Sequence, residues 1–94
     1  MSKLYKNGRL RLYLNTGTNL EEAVSAKIKV KSPAGVLTEV DAVIQPDMKT
    51  IYHYFPSWIL DEAGQWLFWS YINFGGGDFN TGEPVIRVIY DEPE

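Results

Sequence analysis

Apolar and polar residues alternate with a period of two along most of the chain, and runs of turn-forming residues separate the alternating segments. Successive side chains of a strand point to opposite faces, so this period predicts strands that are buried on one face and solvated on the other. Short strands separated by frequent turns are typical of an all-β sandwich or barrel. The pattern predicts six strands, at Arg9–Leu14, Ala26–Lys31, Val36–Ile44, Thr50–Phe55, Gln65–Phe74 and Glu83–Tyr90.

The breaks between these segments carry residues with defined turn chemistry. Residues 32–35 read SPAG; proline suits the second turn position and glycine the fourth, so this segment predicts a hairpin. The glycine-rich connection GGGDFNTG at 75–82 predicts that the last two strands also pair as a hairpin. Ser57 is placed to cap a single helical turn through Leu60–Ala63, which Gly64 ends.

The strand Gln65–Phe74 differs from the others because both of its faces are apolar. Period two places one row inward, made of Trp66, Phe68, Ser70, Ile72 and Phe74. The opposite row points outward and consists chiefly of Leu67, Trp69 and Tyr71. Burying a large apolar side chain stabilises a protein by roughly 1.5–3 kcal/mol. We therefore expect another surface to cover this outer row. Three alternatives could bury this row: the chain's own segment Tyr52–Trp58, a partner protein at an interface, or a glycan that stacks on the rings.

The turn that enters this strand has a recognisable pattern. Glu62, Gly64 and Trp66 lie at the spacing of the acidic-x-Gly-x-aromatic turn of immunoglobulin-like (Ig-like) domains, and glycine can take the positive φ that other residues resist. Two residues beyond the aromatic, antibody domains have a cysteine; here Phe68 stands, and Ile28 is predicted to contact it in place of the disulfide. Indole cannot reproduce the hydroxyl bond of a tyrosine corner. The pattern therefore predicts an Ig-like sandwich rather than a true antibody-type domain.

The composition restricts the classes of function. The 94 residues, 45% hydrophobic and 22% charged, fit one domain over residues 1–94. Without cysteine the chain has neither disulfides nor thiolate metal ligands. A formal net charge of −3 disfavours binding to nucleic acid through phosphate contacts. The first fifteen residues lack the apolar core of a signal peptide, and no apolar run approaches the roughly 20 residues that span a bilayer. We therefore predict neither a nucleic-acid nor a membrane partner.

The sequence contains no pattern typical of a catalytic or metal-binding site. His53 is the only histidine and has neither a cysteine nor a second histidine with which to share a metal. The GGGD run lacks the spacing of a phosphate-binding loop, and Lys27, Lys29 and Lys31 form a basic row that indicates a solvated strand face. Nucleic-acid binding would need aromatic residues interleaved with such charges, and the basic and aromatic rows fall on different strands. We predict no enzyme activity and no catalytic, cofactor-binding or metal site.

Two segments carry a family resemblance. The first, LYLNTGTNLEEAVSAKIKVKSPAG, covers residues 12–35, and the second, LDEAGQWLFWSYINFGGG, covers residues 60–77. The turn and core positions that match are Leu14, Thr16, Gly17, Leu20, Ala23, Ile28, Val30, Pro33, Gly35, Leu60, Asp61, Ala63, Gly64 and Trp66. In these positions the chain resembles small Ig-like β-sandwich virion proteins of tailed bacteriophages. Such relatives have polar residues on the outer side of the aromatic strand; Leu67 and Trp69 stand there in this chain, which favours an added contact surface.

The resemblance implies an all-β fold, namely an antiparallel Ig-like β-sandwich of about six to seven strands. It implies a non-catalytic structural or adaptor protein of the capsid, tail or baseplate, located in the virion after folding in the host cytoplasm. Its partners are then other virion proteins or copies of itself, in a homo-oligomer or a larger assembly, and Leu67, Trp69 and Tyr71 are the predicted interface residues. The alternative is a carbohydrate-binding module for host-surface glycans, which would require a groove with polar residues beside Trp69 or Trp58.

Overall fold

The computed structural model describes residues 4–56 and 60–91, and these residues form strands and connecting turns. In chain order the strands are β1 (Leu4–Tyr5), β2 (Leu10–Asn15), β3 (Ser25–Lys31), β4 (Leu37–Asp41), β5 (Val43–Ile44), β6 (Thr50–Phe55), β7 (Gly64–Gly75), β8 (Asp78–Thr81) and β9 (Val85–Tyr90). No helix occurs within the described ranges. The prediction of an all-β fold is therefore confirmed.

The strands form two sheets with the hydrophobic core between them, an arrangement compatible with a β-sandwich. The larger sheet has the order β1-β9-β7-β3-β4, with β8 paired to β7 as well, and the smaller sheet has the order β2-β6-β5. β1 runs parallel to β9, whereas the other neighbouring strands are antiparallel. β7 is central because β3 pairs along one side of it, while β8 and β9 share the other side.

The inward-facing residues of both sheets build the core together with Leu20 and Leu60 from the connecting segments. Its buried members are Leu12, Leu14, Leu20, Ala26, Ile28, Val30, Ile51, Phe55, Leu60, Trp66, Phe68, Ile72 and Ile89. Phe68 of β7 meets Phe55 of β6 edge-on, with ring centroids 5.5 Å apart, and this contact joins the two sheets. Ser70 is also buried, and Phe74 packs partly buried against the core. The predicted inward row of β7 is therefore confirmed.

All six predicted strands occur, and their outer ends shift by no more than two residues. The segment predicted as Val36–Ile44 is divided into β4 and β5, because the chain passes from the larger to the smaller sheet at Ala42. The backbone N–H of Ala42 donates to the carbonyl of Ala26 at 2.9 Å and holds this crossing in place. β1 and β8 were not predicted, since both are short and β8 (DFNT) is mostly polar.

The glycine run forms a tight hairpin between β7 and β8. Gly76 and Gly77 have φ values of +60° and +86°, the positive angles that a type I′ turn requires at both central residues. β7 and β9 pair antiparallel, as predicted, from Gly64 opposite Ile89 to Phe68 opposite Val85; the predicted direct hairpin between them is wrong, because β8 occupies their connection. The chain thus returns along β7 in two pieces, β8 beside its second half and β9 beside its first.

The predicted helical turn over Leu60–Ala63 is wrong. This segment is irregular, and Ser57, its predicted cap, lies outside the described residues. The carbonyl group of Leu60 accepts a backbone N–H from the β1–β2 turn at 2.7 Å, and that of Glu62 accepts the indole N–H of Trp66 at 2.8 Å. These bonds to other parts of the fold replace the local ladder that a helical turn would need.

Asp47 shapes the turn between β5 and β6. Its Oδ1 accepts the backbone N–H groups of Lys49 (2.9 Å) and Thr50 (3.0 Å), and its Oδ2 accepts the Thr50 hydroxyl (2.8 Å). These bonds, chiefly the one from Lys49, favour the ionised carboxylate and lower the pKa of Asp47. A lowered folded-state pKa contributes stability above the unfolded-state value of about 3.9, and this contribution is lost as the pH falls through the folded-state pKa.

We therefore expect Asp47→Asn to lower the free energy of unfolding at neutral pH, by an amount that shrinks as the pH falls below about 3.9. Asparagine keeps one acceptor oxygen for the backbone N–H groups, loses the charge and replaces Oδ2, which accepts the Thr50 hydroxyl, with an NH2 group that only donates. The pH dependence of the difference therefore reports the contribution of the charge. Urea unfolding of both proteins across the acidic range measures this difference. A difference that stays constant with pH would contradict the role given to the carboxylate.

Candidate protein interface

The three predicted interface residues lie side by side on the outer face of the larger sheet, away from the core. Leu67, Trp69 and Tyr71 alternate along β7 with the buried row, and each is partly buried. The register places Leu67 opposite Ile86 of β9, and Trp69 opposite Lys29 of β3. The predicted row is thus one continuous strip at the middle of a sheet face.

Tyr71 is held between two neighbouring side chains. Its ring stacks on Phe79 of β8, with centroids 5.0 Å apart and planes 22° from parallel. The Lys29 ammonium group lies 4.2 Å from the centroid of the same ring, a cation–π contact that favours a fixed ring position. Phe79 itself is 52% exposed, so the stack presents aromatic surface to solvent.

The apolar surface continues across β9 to the edge of the sheet. Ile86 is 55% exposed, and Val88 and Tyr90 are exposed beside it; the Tyr90 ring lies 6.1 Å from that of Tyr5 on β1. We call this surface the aromatic face; its members are Tyr5, Leu67, Trp69, Tyr71, Phe79, Ile86, Val88 and Tyr90. The β9 part of this face was not predicted, although VIRVIY is apolar at five of its six positions and therefore on both faces.

The described part of the segment Tyr52–Trp58 does not cover the outer row. Its strand, β6, belongs to the smaller sheet and packs on the opposite side of β7, where Phe55 meets Phe68. Trp58 lies outside the described residues. The partial burial of the outer row has another source, because Lys29, Phe79 and Ile86 stand beside it on the same sheet face.

The basic row lies directly beside the aromatic row. β3 is an interior strand between β7 and β4, so Lys27, Lys29 and Lys31 share the outer face rather than protect a sheet edge. Lys27 forms ion pairs with Glu39 (3.1 Å) and Asp41 (3.9 Å) of β4, and its bond to Glu39 raises its pKa. The positive charge at this end of the row is therefore matched by neighbouring carboxylates.

The turn before β7 has the predicted glycine geometry and an unexpected hydrogen bond. Gly64 has a φ of +132°, as the pattern predicted. The indole Nε1–H of Trp66 donates to the backbone carbonyl of Glu62, four residues upstream, at 2.8 Å. A tyrosine corner also ties an aromatic side chain to the backbone a few residues upstream. The prediction that indole cannot make such a bond is wrong, because the ring N–H serves as the donor.

The predicted contact between Phe68 and Ile28 in the place of a cross-sheet disulfide is also wrong. β3 and β7 are neighbours in one sheet, where Phe68 lies opposite Val30 and Ile28 lies opposite Ser70. The aromatic residue that Phe68 meets across the two sheets is Phe55. The alternation of β3 suits either sheet, so the sequence pattern did not distinguish them.

His53 makes a contact that holds two strands of the fold together. Its Nδ1 lies 2.6 Å from the backbone carbonyl of Asp41, and its ring meets Phe55 edge-on at 4.6 Å. A carbonyl oxygen only accepts, so Nδ1 carries the proton in this contact. The bond ties β6 to the end of β4, where the chain leaves the larger sheet. Among the residues that the structure describes, no group of three or more His, Cys, Asp or Glu side chains could hold a metal ion.

No protein-family model matches this chain, and no curated protein or solved structure matches it. The resemblance to phage virion proteins stays a prediction that rests on the two segments quoted above. Within residues 4–56 and 60–91, no helix is long and apolar enough to cross a membrane.

Proposed function

We propose that this chain is a non-catalytic structural or adaptor protein of a tailed-phage particle, which assembles through its aromatic face with copies of itself or with other virion proteins. The observation that carries the proposal is the outer row of Leu67, Trp69 and Tyr71, which continues into exposed Ile86 and Val88 instead of ending in polar residues. Aromatic residues are enriched in the cores of protein interfaces and among the residues that dominate binding energy. The virion setting rests on the resemblance of residues 12–35 and 60–77.

The aromatic face lies on a sheet whose outer side is large enough for a stable interface. The 12 residues of β7 span about 40 Å, and the five strands that lie side by side span about 20 Å. The whole outer side of this sheet therefore measures on the order of 800 Å², the area that one partner contributes to an interface of standard size; the aromatic face, on β1, β7, β8 and β9, is the apolar part of it. A row of large apolar side chains along its middle supports the proposal that this area is buried in the assembly.

The charges around the aromatic face are compatible with self-association. Lys27 is paired with Glu39 and Asp41, and Lys29 rests on the Tyr71 ring. The pairing of Lys27 with carboxylates of the same copy removes one source of like-charge repulsion between two such faces.

The strand order supports an Ig-like arrangement. In variable-type Ig domains one sheet contains strands C′, C, F and G, and the other contains B, E and D. The orders β4-β3-β7-β9 and β2-β6-β5 correspond to these two sheets. Phe68 then stands at the position of the second cysteine, and the position opposite it belongs to β2, whose Leu12 and Leu14 are buried.

We expect Trp69→Glu to weaken self-association by about 30-fold or more, because it removes a central aromatic residue and places a charge in the interface. Sedimentation of the isolated chain over a range of concentrations measures the dimerisation constant. Val43→Glu is the matched control: Val43 is 53% exposed on β5 of the smaller sheet and receives the same charge away from the aromatic face.

A wild-type chain that stays monomeric at high concentration would remove the homomeric form of the proposal. Equal weakening by both variants would show that charge, rather than the aromatic face, controls association. Binding of host-surface polysaccharide, detected as a saturable change in tryptophan emission that Trp69→Glu abolishes, would favour the carbohydrate-binding alternative instead.

A further inference from the structure

The outer face of the smaller sheet carries a second cluster that self-association through the aromatic face does not use. Arg11 and Tyr13 of β2 lie opposite Tyr54 and Tyr52 of β6, respectively. Tyr13 is 51% exposed and Tyr54 is 43% exposed. We call these four residues the tyrosine–arginine face. The face lies on the far side of the core from the aromatic face, because the two sheets pack through their inner surfaces.

The four side chains are linked in pairs, and these contacts favour fixed positions before any partner arrives. The Arg11 guanidinium lies over the Tyr54 ring, 5.9 Å from its centroid. The rings of Tyr13 and Tyr52 are 5.3 Å apart. A hydrogen bond with Tyr13 is the main cause of a raised pKa at Arg11. A planar guanidinium that already rests on aromatic rings loses little conformational freedom when it binds a ligand.

The charge of this face is positive although the chain as a whole carries −3. Among the described residues no carboxylate forms an ion pair with Arg11, in contrast to Lys27 on the other sheet. Arg9, also exposed, directly precedes β2 and adds a second guanidinium nearby. Two copies that met through this face would bring like charges together, which disfavours self-association here.

The chemistry of the cluster selects a partner. Guanidinium N–H groups and tyrosine hydroxyls both donate to carboxylates, and arginine can bind a carboxylate through two parallel hydrogen bonds. Arginine and tyrosine are also the residues most enriched at the energetic centres of protein interfaces. Nucleic acid is less well matched, since its binding depends on neutralising many phosphates and the chain is acidic overall.

We propose that the tyrosine–arginine face binds an acidic segment of a different protein, with a carboxylate on Arg11 and the tyrosine rings packed around it. The chain then has two unlike binding faces on opposite sides of one core. The aromatic face suits a second copy, and the tyrosine–arginine face suits an acidic partner. This inference does not require self-association, so it can fail or hold independently of the proposed function.

The test uses the full chain with a short poly-L-glutamate peptide as the probe, at low salt, and follows backbone amide shifts by NMR. We expect saturable shifts at β2 and β6, and an affinity about tenfold lower in Arg11→Gln. Arg87→Gln is the matched control, because Arg87 is exposed on β9 of the larger sheet and its loss changes the net charge equally. We expect this control to keep the wild-type affinity within about twofold.

Three results would overturn the inference. One is the absence of any saturable shift at β2 and β6. Another is equal weakening by the two arginine variants, which would indicate a general charge effect. The third is tighter binding of an oligothymidylate of similar length at the same residues, which would assign the face to single-stranded nucleic acid. Tyr54→Ala adds a second variant that keeps the net charge, and we expect a severalfold loss of affinity because the ring supports Arg11.

Discussion

Phe68→Ala should lower the free energy of unfolding by about 3–5 kcal/mol, the usual cost of replacing a buried phenylalanine with alanine. Phe68 is fully buried on β7 and meets Phe55 of the opposite sheet. The loss of its ring removes apolar contacts and leaves a cavity between the two sheets. This cavity does not close completely, because the surrounding side chains are already closely packed. Urea unfolding, followed by tryptophan fluorescence, measures the change.

Leu67→Ala is the matched control for this prediction. Leu67 is the preceding residue of the same strand, but its side chain lies on the outer face and is partly buried. We expect Leu67→Ala to lower the free energy of unfolding of the monomer by about 1 kcal/mol, because the Leu67 side chain is already partly in contact with water. Similar losses in the two variants would mean that β7 does not separate a core row from an outer row.

Gly64→Ala is the second substitution with a large expected effect, a loss of about 2–5 kcal/mol in the free energy of unfolding. Gly64 has a φ of +132°, a conformation that residues with a Cβ rarely adopt. A Cβ at this position would also come within 2.9 Å of both Cβ and Cγ of the Pro33 ring. Backbone strain and steric overlap therefore add together at the start of the central strand.

Gly76→Ala separates these two causes. Gly76 has a φ of +60°, and a Cβ there would meet nothing within 4 Å. We expect alanine to cost about 1 kcal/mol, since only the left-handed conformation opposes it. Thermal unfolding of both variants under the same conditions provides the comparison. If Gly64→Ala costs no more than Gly76→Ala, the contact with Pro33 is not a constraint on the fold.

Two unlike faces on one small core would suit the proposed role as an adaptor. The aromatic face is broad and the Lys27 beside it is ion-paired, whereas the tyrosine–arginine face is narrow and positive. Both surfaces consist of strand residues, which the core holds in position from behind. Binding on one side therefore requires no rearrangement on the other, and we expect the two affinities to be independent of each other.

The division of β7 into two rows could be predicted from the sequence because it follows from local geometry. Any extended segment sends alternate side chains to opposite faces, so the core role of Phe68 and the outer position of Trp69 need no knowledge of other strands. The positive φ of Gly64 is likewise local, and it was predicted from the turn pattern. The loss of alternation at Ala42 was not predicted, because the crossing between sheets there depends on bonds to β3.

Most of the errors concern partners that lie far away in the chain. The helical turn at Leu60–Ala63 did not form, because the Leu60 carbonyl accepts a backbone N–H from the distant β1–β2 turn and the Glu62 carbonyl accepts the indole N–H of Trp66. Ile28 was placed in the wrong sheet, since the same alternation suits a strand in either sheet. The outer surface of β9 was not predicted, because Ile86 extends the apolar row of β7 only through the pairing that places it opposite Leu67.

By itself, the sequence determined the all-β class, the extent of most strands and the face on which each strand residue lies, because the period of an extended backbone is a local property. The tertiary structure decided which strands are neighbours, because pairing depends on turns, crossings and packing over the whole chain. The aromatic row on β7 was therefore visible in one segment of sequence. The tyrosine–arginine face exists only because β2 pairs with β6 and brings Arg11 beside Tyr54.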